Sequence, residues 1–116
     1  MGNLKRERCG IIINNEFHEI RNISTNPFEF VMDSKELYQF IKDFQDIQAI
    51  VHTHYNNCSP SYLDMENMKI WKTYWIIVSY NCIKIYKYSS RFGVVEVDIN
   101  SSTFKKFYNL FMQLLH

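Results

Sequence analysis

Residues that break or loosen a chain are scarce here: three glycines and two prolines in 116 positions. That excludes a flexible linker, a low-complexity tract or a collagen-like repeat, and residues 1–116 read as a single domain with one core. Cysteine is scarce too. Cys9, Cys58 and Cys82 are an odd number at irregular spacing, which predicts no disulfide framework and a reducing, cytoplasmic setting. No long hydrophobic run occurs. The longest apolar stretches, 11–13 and 75–78, fall far short of a bilayer's thickness, and no apolar run near the N-terminus has the form of a signal peptide. The expectation is therefore no membrane partner, and triplets such as Asn22-Ile23-Ser24 carry no glycosylation meaning. A charge of one sign is also missing. Thirteen Lys and Arg against twelve Asp and Glu leave a net +1, with the cations scattered, so no nucleic-acid partner is expected.

What the chain does have is apolar side chains, 47% of the total and 16% aromatic, enough for a packed core and outside the disordered range. Residues 10–13 and 17–23 flank the turn-prone pair Asn14-Asn15 and read as a hairpin. Residues 28–32 read as a short strand with Phe28, Phe30 and Met32 on one face. Asp33 or Ser34 caps a helix whose apolar stripe is Leu37, Phe40, Ile41 and Phe44. A strand at 47–54 follows, then a helix from Ser61 to about residue 73 that buries Leu63, Met68 and Trp71. Strands are predicted at 75–80, 82–88 and 94–99. The aromatics and lysines between 71 and 88 read as a core strand pair rather than as a base-stacking surface. Ser101 or Ser102 caps a last helix with Phe104, Phe107, Tyr108, Phe111, Leu114 and Leu115 on one stripe. The order is α/β, a sheet with helices packed on it.

The chemistry concentrates between residues 52 and 64. His52-Thr53-His54 ends the 47–54 strand, and residues i and i+2 of a strand share a face, so both imidazoles reach one point. A turn through Asn56, Asn57, Ser59 and Pro60 leads to Ser61 and Asp64, and Asp64 falls in the first turn of a helix. Two His and one carboxylate, with a fourth position left to water, are the ligand set of a catalytic zinc site. The plainer reading is a pair of surface histidines beside a capping aspartate. Ser61 has two available roles, an oxyanion donor or simply the helix cap. Cys58 is read as a loop residue rather than a ligand, and His18 and His116 as isolated and solvent-facing.

His52-Thr53-His54, Ser61 and Asp64 resemble the JAMM motif of the JAB1/MPN/Mov34 metalloproteases. Glu7-Arg8-Cys9-Gly10-Ile11-Ile12 resembles the segment that opens many bacterial and phage members, including the peptidase domain of phage tail-assembly proteins. The likeness runs from about residue 7 to about residue 88. It implies a mixed, curved sheet flanked by helices, of JAB/MPN-like and deaminase-like architecture. It also implies Zn2+ on His52, His54 and Asp64, Glu7 as the base that activates the water, and Ser61 assisting the oxyanion. Glu16 and Glu19 are weaker substitutes for Glu7. The substrate implied is a protein or peptide, cut at a peptide or isopeptide bond. The alternative is a non-catalytic MPN-like structural or binding module, for example a phage tail component.

The chain departs from the family pattern in three places. The loop from Tyr55 to Pro60 is one residue shorter than usual, Tyr55 stands where a proline is common, and only residues 1–6 precede Glu7 where a helix is usual. The C-terminal helix is then expected either to take over the cover of one sheet face or to dock an assembly partner.

Overall fold

The computed structural model describes residues 6–43 and 46–114. Strands β1 (Cys9–Ile13), β2 (Glu16–Ile20), β3 (Ala49–Thr53), β4 (Tyr74–Ser79), β5 (Cys82–Ser89) and β6 (Gly93–Glu96) alternate with helices α1 (Ser34–Phe40), α2 (Tyr62–Ile70) and α3 (Ser102–Leu114). The strands form one mixed sheet in the order β2-β1-β3-β4-β5-β6. Only β3 and β4 run parallel, because α2 carries the chain back between them; the other neighbours are antiparallel. The α/β sheet domain flanked by helices is the architecture expected.

The central strands β1 and β3 and most of β4 are runs of apolar residues, interrupted at the strand ends by His52, Thr53 and Ser79, because both faces of the sheet are covered. On one face Ile11, Ile13, Ile50, Trp75 and Ile77 pack under Leu37 of α1 and Met68 of α2. On the other, Ile12, Ala49, Val51, Ile76 and Ile85 meet Phe104 and Phe107 of α3. The apolar stripe of α3 thus covers the sheet. Ser101 caps this helix, accepting from the Phe104 N–H at 3.1 Å. Asn14 and Asn15 turn the first hairpin with φ of 51° and 62°, the left-handed pair that a two-residue turn requires. Gly10 is needed for space rather than for φ: a Cβ there would clash with the backbone carbonyl of His18 and meet the Phe17 ring at 2.6 Å.

Several boundaries differ from expectation. Residues 28–32 are not a strand; they make one bridge, Asn22 with Met32. The reason is local. The Asn22 amide donates to the Glu7 and Glu29 carbonyls and its oxygen accepts from the Ser24 and Val31 N–H groups, so beyond two backbone bonds, Ile23 N–H to the Val31 carbonyl and Asp33 N–H to the Arg21 carbonyl, a side chain takes the place of the ladder. Helix α1 ends at Phe40, with Ile41 extended at φ −123° and ψ 140°; Phe44 lies outside the described residues. Helix α2 ends at Ile70, and Leu63 faces solvent instead of the core, at 39% exposure. Leu115 and His116 lie outside the described residues, as does the side chain of Leu114. His18 is half-buried rather than solvent-facing, stacked on Phe40 at 4.4 Å.

The cysteines give the largest correction. Cys58 and Cys82 form a disulfide, and Cys9 is the free, buried thiol. The β4–β5 hairpin, with Ser79 opposite Cys82, brings Cys82 under the loop that leaves β3. Counting cysteines cannot register such proximity: an odd number allows one bridge and one free thiol. The bridge removes the ground on which a reducing setting was expected. Burial, then the charges of Glu19 and Glu7, push the Cys9 thiol up to about 12. Among the described residues no helix is long and apolar enough to cross a membrane.

Candidate metal centre

The register of β1 against β3 builds the centre. Cys9 lies opposite His52, and past it the Thr53 N–H donates to the Arg8 carbonyl at 2.9 Å while the Arg8 N–H donates to Thr53 Oγ1 at 2.8 Å. Glu7, two residues before Cys9, is therefore carried to the end of β3 on the face of His52 and His54. On the other side the His54 N–H donates to the Val78 carbonyl at 2.9 Å, extending the β3–β4 pairing. Both histidines thus project from a strand held on each side.

Asp64 arrives from above. The loop passes through the Cys58 bridge, and Ser61 starts α2 with a capping box. The Asp64 N–H donates to Ser61 Oγ at 3.0 Å and the Ser61 N–H to Asp64 Oδ2 at 2.8 Å. This brings Asp64 Oδ2 to 3.0 Å from His54 Nε2 and Asp64 Oδ1 to 3.4 Å from His52 Nε2. Glu7 Oε1 stands 3.4 Å from His52 Nδ1. All four residues expected at a metal site, and Ser61 beside them, are in one place. Glu7, His52 and His54 form a group that can hold a metal ion, one donor atom from each lying within 4.8 Å of the others. Glu7, expected as the base that activates the water, thus stands among the residues able to hold the ion.

His52 supplies the test of fit. Its side chain is fully buried, yet neither ring nitrogen has a hydrogen-bond partner. Buried polar atoms are nearly always satisfied. Carboxylates sit near both nitrogens, at distances that leave room rather than forming bonds. A cation on one ring nitrogen, with the carboxylate beside the other accepting its N–H, would satisfy the ring, and the donor set suits Zn2+. The ring is clamped in place, stacked on Phe30 at 4.5 Å and 27°, with the edge of Trp75 at 6.1 Å and that of His54 at 4.8 Å. Sequence reasoning did not single out Phe30 or Trp75; an apolar residue's contact with a distant histidine leaves no local pattern.

Electrostatics favour charge at this spot. Burial opposes it, but the hydrogen bond to His54 and the charge of His52 hold the Asp64 carboxyl below its ordinary value. Burial likewise works against the His54 imidazolium, and the bond to Asp64 with the charges of Asp64 and Glu7 outweighs it, so His54 is raised. The alternative bases are elsewhere. Glu19 is taken by Arg8, whose Nε donates to it at 2.8 Å, and Glu16 lies 3.8 Å from His18. Cys58 is no ligand, its sulfur being in the bridge.

No family model matches the chain. A protein called desampylase, from Pyrococcus furiosus, is 32% identical to it over 84 residues, which span 63% of this chain and 59% of that protein. The chain therefore covers less than two thirds of this relative's length.

Proposed function

We propose that this chain is a zinc metallopeptidase of the JAMM type that hydrolyses a peptide or isopeptide bond in a protein substrate. The observation that carries the reading is the buried His52 ring, unpartnered at both nitrogens between two carboxylates. The likeness to a desampylase supports an isopeptidase and substrates of the ubiquitin-like modifier kind. His52, His54 and Asp64 are assigned as the ligands. Asp64 gives up its bond to His54 Nε2 and keeps the Ser61 N–H, which fixes the carboxylate's orientation. Bound there, Zn2+ supplies Lewis-acid polarisation and a water of lowered pKa.

The protein's own residues do the rest. Glu7 sits at the mouth of the site with an 11% exposed side chain, near enough to solvent to exchange protons and buried enough to be held still. Its carboxylate takes the proton of the attacking water and delivers it to the leaving nitrogen. The Ser61 hydroxyl accepts from the Asp64 N–H, which leaves its own hydrogen free to point at the developing oxyanion.

Elemental analysis tests this directly. Protein purified without chelator should hold one zinc per chain, and His52→Ala or His54→Ala should abolish it. Protein that contains no metal and takes up none from added zinc would sink the catalytic reading. A structural module, such as a phage tail component, would then stand, favoured by an Asp64 already engaged in capping. A cytoplasmic setting is part of the proposal, and alkylating the protein inside cells before mapping Cys58 and Cys82 by mass spectrometry decides it.

A further inference from the structure

A cavity of about 660 Å³ opens beside the centre, with Glu7 and His54 in its wall. Around it stand Phe28, Tyr55 and Tyr80, which are 65%, 71% and 82% exposed. Three large aromatic rings left to solvent around one hollow mark a binding groove. Their positions are fixed by the fold. The Cys58–Cys82 bridge ties the loop that carries Tyr55 to the turn that carries Tyr80, and the Phe28 N–H donates to Asn26 Oδ1 at 2.9 Å. Such a rim is organised before anything binds. The wall also holds Arg6 and Arg8. Arg8 is neutralised by Glu19, whereas Arg6 bonds only the Asn22 carbonyl, at 3.3 Å, and has no carboxylate partner among the described residues.

The sheet limits how a substrate enters. β3 is paired with β1 on one side and β4 on the other, so no free edge beside the histidines accepts an added strand. A substrate segment must lie across the strand ends, over the groove, and be read by its side chains rather than by a backbone ladder.

We propose that this groove sets specificity: it takes an extended protein segment with a large aromatic or aliphatic side chain among the three rings and a carboxylate within reach of Arg6. A segment of small residues leaves the rings wet and Arg6 unpaired. The word substrate rests on the metallopeptidase reading; the binding preference does not.

Full-length protein carrying Glu7→Gln, which removes cleavage, is titrated into fluorescein-labelled peptides and followed by anisotropy. The peptides share a glycine-serine frame and hold Phe plus Asp, Phe alone, Asp alone, or neither. The Phe-plus-Asp peptide should bind at least about tenfold tighter than the plain frame, in the range that apolar pockets discriminate. Adding Tyr55→Ala and Tyr80→Ala should erase the Phe preference, and Arg6→Gln the Asp preference. These side chains are on the surface, and thermal melts confirm that each variant is folded. Equal affinities, no binding, or preferences unmoved by the substitutions would each overturn the proposal. Zinc content, measured on wild-type protein prepared in parallel, separates the two readings: zinc without peptide preference overturns only the groove, and peptide preference without zinc overturns only the peptidase.

Discussion

At the scale of single residues, the open division of labour is between two carboxylates. Glu7 and Asp64 both approach His52, one at each ring nitrogen and each at 3.4 Å. If Glu7 is the base, Glu7→Gln should keep zinc and fold while losing hydrolysis by several orders of magnitude, since an amide accepts no proton. Asp64→Asn should lose zinc as well. Zinc released from Glu7→Gln, measured by elemental analysis, would make Glu7 a ligand. Ser61 caps α2, and in the proposed reaction the same hydroxyl must also face the oxyanion. Its replacement by alanine should therefore cost about tenfold in kcat, short of the ~10²–10³ of a dedicated donor, and about 1 kcal/mol of stability from the lost cap. A hundredfold loss with the melting curve unchanged would show that capping is the lesser role.

At the scale of elements, the sequence was readable wherever a pattern is local. The Asn14-Asn15 turn, the His52 and His54 spacing and Phe104, Phe107 and Phe111 of the α3 stripe follow from nearest-neighbour rules and are where the pattern put them, whereas Tyr108, expected on that stripe, is 38% exposed. What escaped was settled by contacts between distant segments. The segment at 28–32 has the alternation of a strand, but Asn22, close in space, supplies its partners. Cys58 and Cys82 are joined across 24 positions, and Phe30 packs on His52 across 22. The same loop has a second tie, the Tyr86 hydroxyl donating to the Cys58 carbonyl at 2.7 Å. Burial, then Glu96, raise the pKa of this phenol. A group raised in the folded state contributes stability that is complete below the unfolded value, near 10, and is lost as pH climbs through the folded one. Urea melts should therefore show stability falling more steeply above pH 10 in the wild type than in Tyr86→Phe. At neutral pH that variant should be less stable by about 1–3 kcal/mol, because it strands a buried carbonyl. Parallel slopes would mean that Tyr86 ionises as freely in the fold as out of it.

At the scale of the whole molecule, the site occupies one face of the sheet and α3 the other, and β1 belongs to both. Cys9 and Glu7 point toward the histidines, while Gly10 and Ile12 point toward α3. The missing side chain at Gly10 is where Phe17 lies down, and Phe17 in turn meets Phe111 of α3 at 6.2 Å. A methyl group added there would press on the His18 carbonyl as well as on the Phe17 ring, so β1 would have to move away from β2. Glu7, three residues upstream, would move with it. Gly10→Ala should thus weaken zinc binding as well as lower the melting temperature, although residue 10 faces away from the metal. Unchanged zinc affinity in a folded Gly10→Ala protein would confine the damage to the α3 side. The traffic runs both ways. If zinc binds as proposed, a thousandfold excess over its dissociation constant adds about 4 kcal/mol to the folded state, and that gain is shared by every contact that must break with β1. The close fit of Phe17 on Gly10 then acts as a hinge pin between the two faces of the sheet, which melt together. A probe on Phe111, on the far side of the sheet, should report when the metal leaves.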